Sequence, residues 1–127
     1  MYEQDYIMRL IKEIIRSLLK LLFNIDTDSP TKDLLSEKEQ KTTLEKLLDM
    51  IDEGEINKAE NELSNLTESG DHKYLEVALL FYSYLNEKND AFLEEHRFSR
   101  EEISMGLKSV ISQYGLGSVA EAFLTEL

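Results

Sequence analysis

The stretch whose residue types best suit metal binding begins at Asp26. Asp26, Asp28 and Glu37 occupy the first, third and twelfth places of a pattern that resembles a calcium-binding loop. The fifth place is Pro30, which has no side-chain ligand, and the sixth is Thr31, where such a loop needs a glycine for its sharp turn. We therefore interpret the stretch as a turn that precedes a helix, and we predict no metal site there.

The other candidates for chemistry are two histidines, paired carboxylates and a glycine pair. Neither His72 nor His96 has a second ligand at the spacing that places two side chains on one helix face. Adjacent acids such as Glu101 and Glu102 do not face each other on a helix. The segment 115–117 lacks the lysine of a phosphate-binding loop, and it follows a predicted helix rather than a strand. The sequence therefore predicts no catalytic residue and no cofactor.

An enzyme or a small-ligand binder is the alternative interpretation. Its pocket would lie between helices, and Tyr82, Tyr84 and His96 are the polar side chains expected to converge there. A closed, polar-lined cavity would favour this alternative. A filled core with an apolar groove would favour a protein that acts by binding other proteins.

The amino-acid composition excludes further classes of protein and of functional site. The chain has 127 residues, no cysteine, 14 basic and 26 acidic residues, and a formal net charge of −12. Without thiols it has no disulfide, no cysteine-ligated metal and no cysteine nucleophile. The negative charge opposes binding to nucleic acid, which normally requires a basic surface. Charged residues interrupt every apolar stretch well before membrane-spanning length, and no secretory signal is present, so we expect a cytoplasmic protein.

The first 24 residues predict a long amphipathic helix with an unusually wide apolar stripe. A helix that borders water on one side needs a stripe of only a little over about 100°, so this one is expected to contact two neighbours. We assign the stripe to a docking surface for a protein partner or for a second copy of the chain in a homodimer. Arg9 and Arg16, on the polar side, would orient that partner. The predicted apolar anchors are Ile7, Leu10, Ile11, Ile14, Leu18 and Leu22.

Two alternatives remain open for this helix. Its stripe is also explained by burial inside the chain's own core. Its basic face beside an apolar face is also typical of helices that bind membrane surfaces. Membrane binding is the less favoured of the two, because the acidic remainder of the chain would be repelled by anionic lipids.

The elements after the first helix predict an all-α fold of five or six helices in one domain, 1–127. A linker, 25–35, precedes a helical body, 36–127, that begins at a capping box formed by Ser36 and Glu39. The segment 77–82 is apolar all round, which predicts a central buried helix, although a buried strand is the alternative. A capping box from Ser99 to Glu102, with a hydrophobic staple, marks another helix start, and a last helix is expected after Gly117.

Two resemblances accompany this pattern. The segment 54–60, Gly-Glu-Ile-Asn-Lys-Ala-Glu, is similar to the turn and second-helix opening of a tetratricopeptide repeat, which implies a repeat-like antiparallel helix hairpin. The strings at 1–9, 78–86, 98–102 and 114–116 make the chain resemble an uncharacterised family of small acidic helical proteins from Gram-positive bacteria. That resemblance implies no activity, cofactor or site residue. The sequence thus predicts a non-catalytic interaction or scaffold protein.

Overall fold

The computed structural model describes residues 2–24 and 38–117, and within them all regular structure is helical. The predicted all-α class is therefore confirmed. The calcium-like stretch, the linker 25–35, the capping box at Ser36 and the predicted last helix lie outside the described residues. The helices are α1 (Tyr2–Phe23), α2 (Lys38–Asp52), α3 (Ile56–Thr67), α4 (His72–Asn86), α5 (Asp90–Glu95) and α6 (Arg100–Gln113).

Helix α4 lies at the centre of the described core. It packs against α1, α2, α3 and α6. Every residue from Val77 to Tyr82 is buried, and so are Leu75 and Leu85. A helix surrounded on all sides has no face left for water, and this is why its sequence shows no polar stripe. The prediction of a central buried helix over this segment is confirmed, and the strand alternative is wrong.

Helix α1 uses its wide apolar stripe inside the chain. It packs against α4 and also against α6, so both of the expected neighbours belong to the same molecule. Ile11, Ile15 and Leu19 are among its fully buried side chains. The width of the stripe follows from contact with two helices that are far from α1 in the sequence.

Local capping signals determine where the later helices begin. Asp71 accepts a hydrogen bond from the backbone N–H of Lys73 at the start of α4. The Ser99 hydroxyl accepts one from the backbone N–H of Glu102, and the Glu102 carboxylate accepts one from the N–H of Ser99. The predicted capping box is therefore present, and each such cap stabilises a helix by about 0.5–2 kcal/mol.

The turn between α2 and α3 depends on Gly54. Its φ of +84° lies in the left-handed region that glycine adopts without strain. A Cβ at this position would also overlap the imidazole of His96, which lies against the turn. Helices α2 and α3 pack together after this turn, and Lys46 and Glu62 form an ion pair between them. The tetratricopeptide resemblance of this pair stays a prediction.

Candidate functional site

The structure divides the predicted interaction residues of α1 into buried, partly buried and exposed groups. Ile11, Ile14 and Leu18 are 0–1% exposed and belong to the core of their own chain. The prediction that these three form an intermolecular interface is wrong, because α4 and α6 already cover the stripe. Ile7 and Leu22 are partly buried against the same core, and Leu10 is partly exposed at its edge.

The two arginines predicted to orient a partner are exposed, and two lysines extend their row. Arg9, Lys12, Arg16 and Lys20 follow one another at steps of three or four residues, so they share one side of α1. All four are exposed, and none forms an ion pair with any residue in the described segments. We call these four residues the α1 basic face.

A pocket of about 260 Å³ lies beside this face, between α1 and α4. The cationic side chains at its edge are Lys12 and Arg16, and Glu87 lies across from them at the end of α4. The Ser83 side chain contributes a hydroxyl group that donates or accepts hydrogen bonds. The remaining lining residues are Met8, Ile15 and Asn86. The pocket therefore combines positive charge, a hydroxyl and an apolar wall.

A buried hydrogen-bond network fixes the wall of this pocket. The Asn86 side-chain amide donates to the backbone carbonyl of Met8 over 2.9 Å and so connects α4 to α1. The Arg100 guanidinium donates to the Asn86 backbone carbonyl over 2.6 Å and to its side-chain oxygen over 3.2 Å. It also donates to the carbonyl of Lys88 over 2.7 Å and to the carboxylate of Asp90 over 3.1 Å. Because Arg100 is 2% exposed, this cation is a structural part of the core.

A second buried polar contact lies where α3, α4 and α6 meet. The Tyr82 hydroxyl donates to Oε2 of Glu60 over 2.7 Å. Burial raises the pKa of Glu60 above its usual value; the hydrogen bond from Tyr82 partly opposes this rise, and the charge of Glu102 adds to it. Burial and the neighbouring carboxylate also raise the pKa of Tyr82. Gly106 covers the pair, since a Cβ there would lie 2.8 Å from Oε2 of Glu60 and closer to the Tyr82 hydroxyl.

Tyr84 belongs to a different cluster, at the ends of α2 and α4. Its hydroxyl donates to Oδ1 of Asp52 over 2.7 Å, and the Lys88 ammonium donates to the same oxygen over 2.6 Å. The Lys88 Nζ also lies 4.8 Å from the ring centres of both Tyr84 and Phe92. Partial burial is the largest single influence and opposes the charge of Lys88, but the hydrogen bond to Asp52 and the electrostatic interactions with Tyr84 and Asp52 together raise the Lys88 pKa. Such cation–π contacts stabilise the connection between α4 and α5.

The three residues expected to converge in an enzyme-like pocket therefore contact different partners. Tyr82 is bound to Glu60, Tyr84 is bound to Asp52, and His96 lies against the Gly54 turn and 4.5 Å from the Phe92 ring. The structure does not bring them to one cavity. In the described segments, no three His, Asp or Glu side chains are arranged to hold a metal ion.

The pocket and its support were not predicted from the sequence. Lys12 and Ser83 come from helices that are distant in the chain, and a lone serine inside an apolar segment carries no local signal. Arg100 follows the Ser99 cap and has the sequence appearance of an exposed first-turn residue. Two of its main partners are backbone carbonyls, which leave no trace in residue identity.

The comparisons with known proteins establish family membership without adding a function. No curated protein and no solved structure matches the chain. Within the described segments, no helix has both the length and the apolar character needed to cross a bilayer. The sequence profile of a family of unknown function, DUF6483, matches residues 1–115. The expected kinship with an uncharacterised domain family is thus confirmed, and the chain belongs to the family of unknown function DUF6483.

Proposed function

We propose that this chain is a non-catalytic, cytoplasmic interaction protein that docks an acidic segment of a partner protein on the α1 basic face. The observation that carries this proposal is the row of four exposed, unpaired cations on a chain with a net charge of −12. An acidic, cysteine-free sequence also suits the reducing cytoplasm.

The contrast with four other cations supports a role for this face, although Lys73, Arg97 and Lys108 likewise have no ion pair in the described segments. Lys46, Lys58, Lys88 and Arg100 each form an ion pair with an acidic residue of the same chain. The first 24 residues hold four of the 14 basic residues and three of the 26 acidic ones. The remainder therefore has 10 basic and 23 acidic residues. Acids are abundant in this chain, yet none in the described segments pairs with the α1 basic face.

Because the apolar stripe is buried, a partner would be bound differently from the way the sequence predicted. With Ile11, Ile14 and Leu18 in the core, the docking energy comes from charge rather than from the predicted apolar anchors. Exposed ion pairs contribute about 0.2–1 kcal/mol each. Four of them supply at most about 4 kcal/mol, which corresponds to a dissociation constant in about the millimolar range. Such binding is fast, reversible and strongly dependent on salt.

An acidic segment fits this face better than a second copy of the chain does. A short segment close to the face interacts mainly with the cations within about 8 Å at physiological salt. Two whole chains would each bring a net charge of −12, and their mutual repulsion opposes a dimer. The homodimer is therefore an alternative outcome of the test.

The test uses a short oligo-glutamate peptide as the probe and NMR chemical shifts of the α1 amides as the readout. We expect saturable binding at about 20 mM salt that is largely lost at about 200 mM. The variant R9Q/R16Q should weaken binding severalfold. The matched control is K46Q/K58Q, which changes net charge equally but removes cations that are paired within the chain.

Two results would overturn the proposal. Equal weakening by R9Q/R16Q and K46Q/K58Q would mean that the peptide responds to total charge only. Light scattering that shows a dimer of the intact protein, broken by R9Q/R16Q, would assign the face to self-association instead.

A further inference from the structure

The pocket between α1 and α4 has a charge pattern that selects for one kind of ligand. Lys12 and Arg16 lie one helical turn apart at its edge, and neither has an ion-pair partner in the described segments. Glu87 adds one negative charge to the same lining. The lining therefore carries a net charge of +1. The two cations attract an anionic group and Glu87 weakens that attraction, so this small net charge offsets little of the greater cost of removing a multiply charged anion from water and favours a ligand with a single negative charge.

The remaining lining determines the shape and polarity of the rest of the ligand. Met8 and Ile15 make the apolar part of the lining, in which Met8 is the more accessible because Ile15 is buried, while Ser83 offers a hydroxyl that can donate a hydrogen bond to an anion. At about 260 Å³, the volume is slightly below the range of about 300–1,000 Å³ typical of ligand sites. The ligand must therefore be small.

The wall is held rigid before any ligand arrives. Asn86 is 2% exposed; its amide donates to the Met8 carbonyl, and its side-chain oxygen accepts from Arg100. Because α1 and α4 are joined by these buried bonds, little backbone freedom in this wall remains to be lost on binding. Such preorganisation increases the affinity of a small ligand.

We propose that this pocket binds a small monocarboxylate with a short aliphatic chain. Lys12 and Arg16 attract the carboxylate, Ser83 donates a hydrogen bond to it, and the aliphatic chain lies against Met8. A small-ligand site in this pocket does not depend on the proposed docking of a protein partner. It would exist even if no partner docks on the α1 basic face.

The test is an NMR titration of the full chain with butyrate. We expect saturable shifts of the amides of Met8, Ser83 and Glu87 at about millimolar butyrate, the range expected for so small a ligand. Inorganic phosphate tests for a purely electrostatic site, and the uncharged n-butanol tests for a purely apolar one. Both should bind at least severalfold more weakly than butyrate.

Variants within one helix provide the matched comparison. K12Q/R16Q should weaken butyrate binding about tenfold, whereas R9Q/K20Q, which removes two cations outside the pocket, should leave it unchanged. E87Q should tighten binding severalfold because it removes the opposing charge. All five substitutions in these three variants are at exposed positions, and circular dichroism will verify that each variant keeps its helical content.

The outcomes separate this proposal from the docking proposal. Equal effects of K12Q/R16Q and R9Q/K20Q on butyrate, or phosphate binding as tightly as butyrate, would overturn the monocarboxylate site. Loss of oligo-glutamate binding in R9Q/K20Q with butyrate binding retained would support both proposals. Butyrate binding by a protein that does not bind oligo-glutamate would support the pocket and refute the docking face.

Discussion

Arg100 offers the sharpest test of how the pocket wall is supported. Its guanidinium is 2% exposed and donates to two backbone carbonyls over 2.6 and 2.7 Å. Replacing it with methionine, R100M, keeps an apolar stem of similar length but leaves those carbonyls without a donor. The residue's fourth bond, to Asp90, matters less because that carboxylate is 53% exposed and regains water easily.

The expected loss of stability in R100M follows from these contacts. Charge-assisted hydrogen bonds contribute about 1.5–3 kcal/mol each, so the two short bonds amount to about 3–6 kcal/mol. Removing the cation also relieves the cost of keeping it away from water, which offsets part of that loss. We expect a net decrease of about 3 kcal/mol in the free energy of unfolding. For a chain of this length, that lowers the melting temperature by roughly 10 °C.

Urea denaturation followed by circular dichroism measures this change. R100K keeps the charge, but a single ammonium group cannot reproduce the fork geometry, so an intermediate loss is expected. R9M is the control, since Arg9 is exposed and unpaired in the described structure. A variant R100M within about 0.5 kcal/mol of the parent, the range of ordinary surface substitutions, would refute the account of Arg100 as a structural cation.

Three further predictions concern the core. The variant I11E/L18E should be unfolded by circular dichroism, because each buried charge costs several kcal/mol against a total stability of about 5–15 kcal/mol; a folded monomer would contradict the placement of α1. Since the folded-state pKa of Glu60 is raised, its contribution to stability is fully present below the unfolded pKa and is lost as pH rises through the folded one. E60Q, which can still accept from Tyr82, should therefore be more stable than the parent at neutral pH, with the difference in urea midpoint disappearing in acid. G106A should lose about 1–3 kcal/mol despite alanine's better helix propensity, because the new methyl group overlaps the Tyr82 hydroxyl; an increased urea midpoint would contradict this.

The features that the sequence predicted well are those with local causes. The all-round apolar segment of α4 and the Ser99–Glu102 capping box each depend on residues within a few positions of one another. Their physical effects, burial and satisfaction of free N–H groups, are therefore visible in the sequence itself.

The features that the sequence did not predict depend on long-range contacts. The width of the α1 stripe correctly indicated two neighbours, but nothing local distinguishes α6 of the same chain from a helix of a partner. This is why Ile11, Ile14 and Leu18 were assigned to an interface and are found in the core. The structural role of Arg100 was not predicted for a related reason: every residue has a backbone carbonyl, so such an acceptor cannot be recognised from the residue type.

Because the apolar stripe is buried in the core, the opposite, polar side of α1 is the side that bears on what this helix binds. A core helix needs its polar side only to face water, and a mixture of charges meets that need at least as well as a row of cations. Four cations lie in a row without an ion-pair partner in the described segments, on a chain whose other charged residues are mostly acidic, so their attraction for an anionic group is not satisfied there. The same helix presents Lys12 and Arg16 at a pocket whose wall is fixed by buried hydrogen bonds. Rigid support beneath unpaired charge is the arrangement that binding sites require, and this is why we propose that α1 serves core packing on one side and recognition on the other.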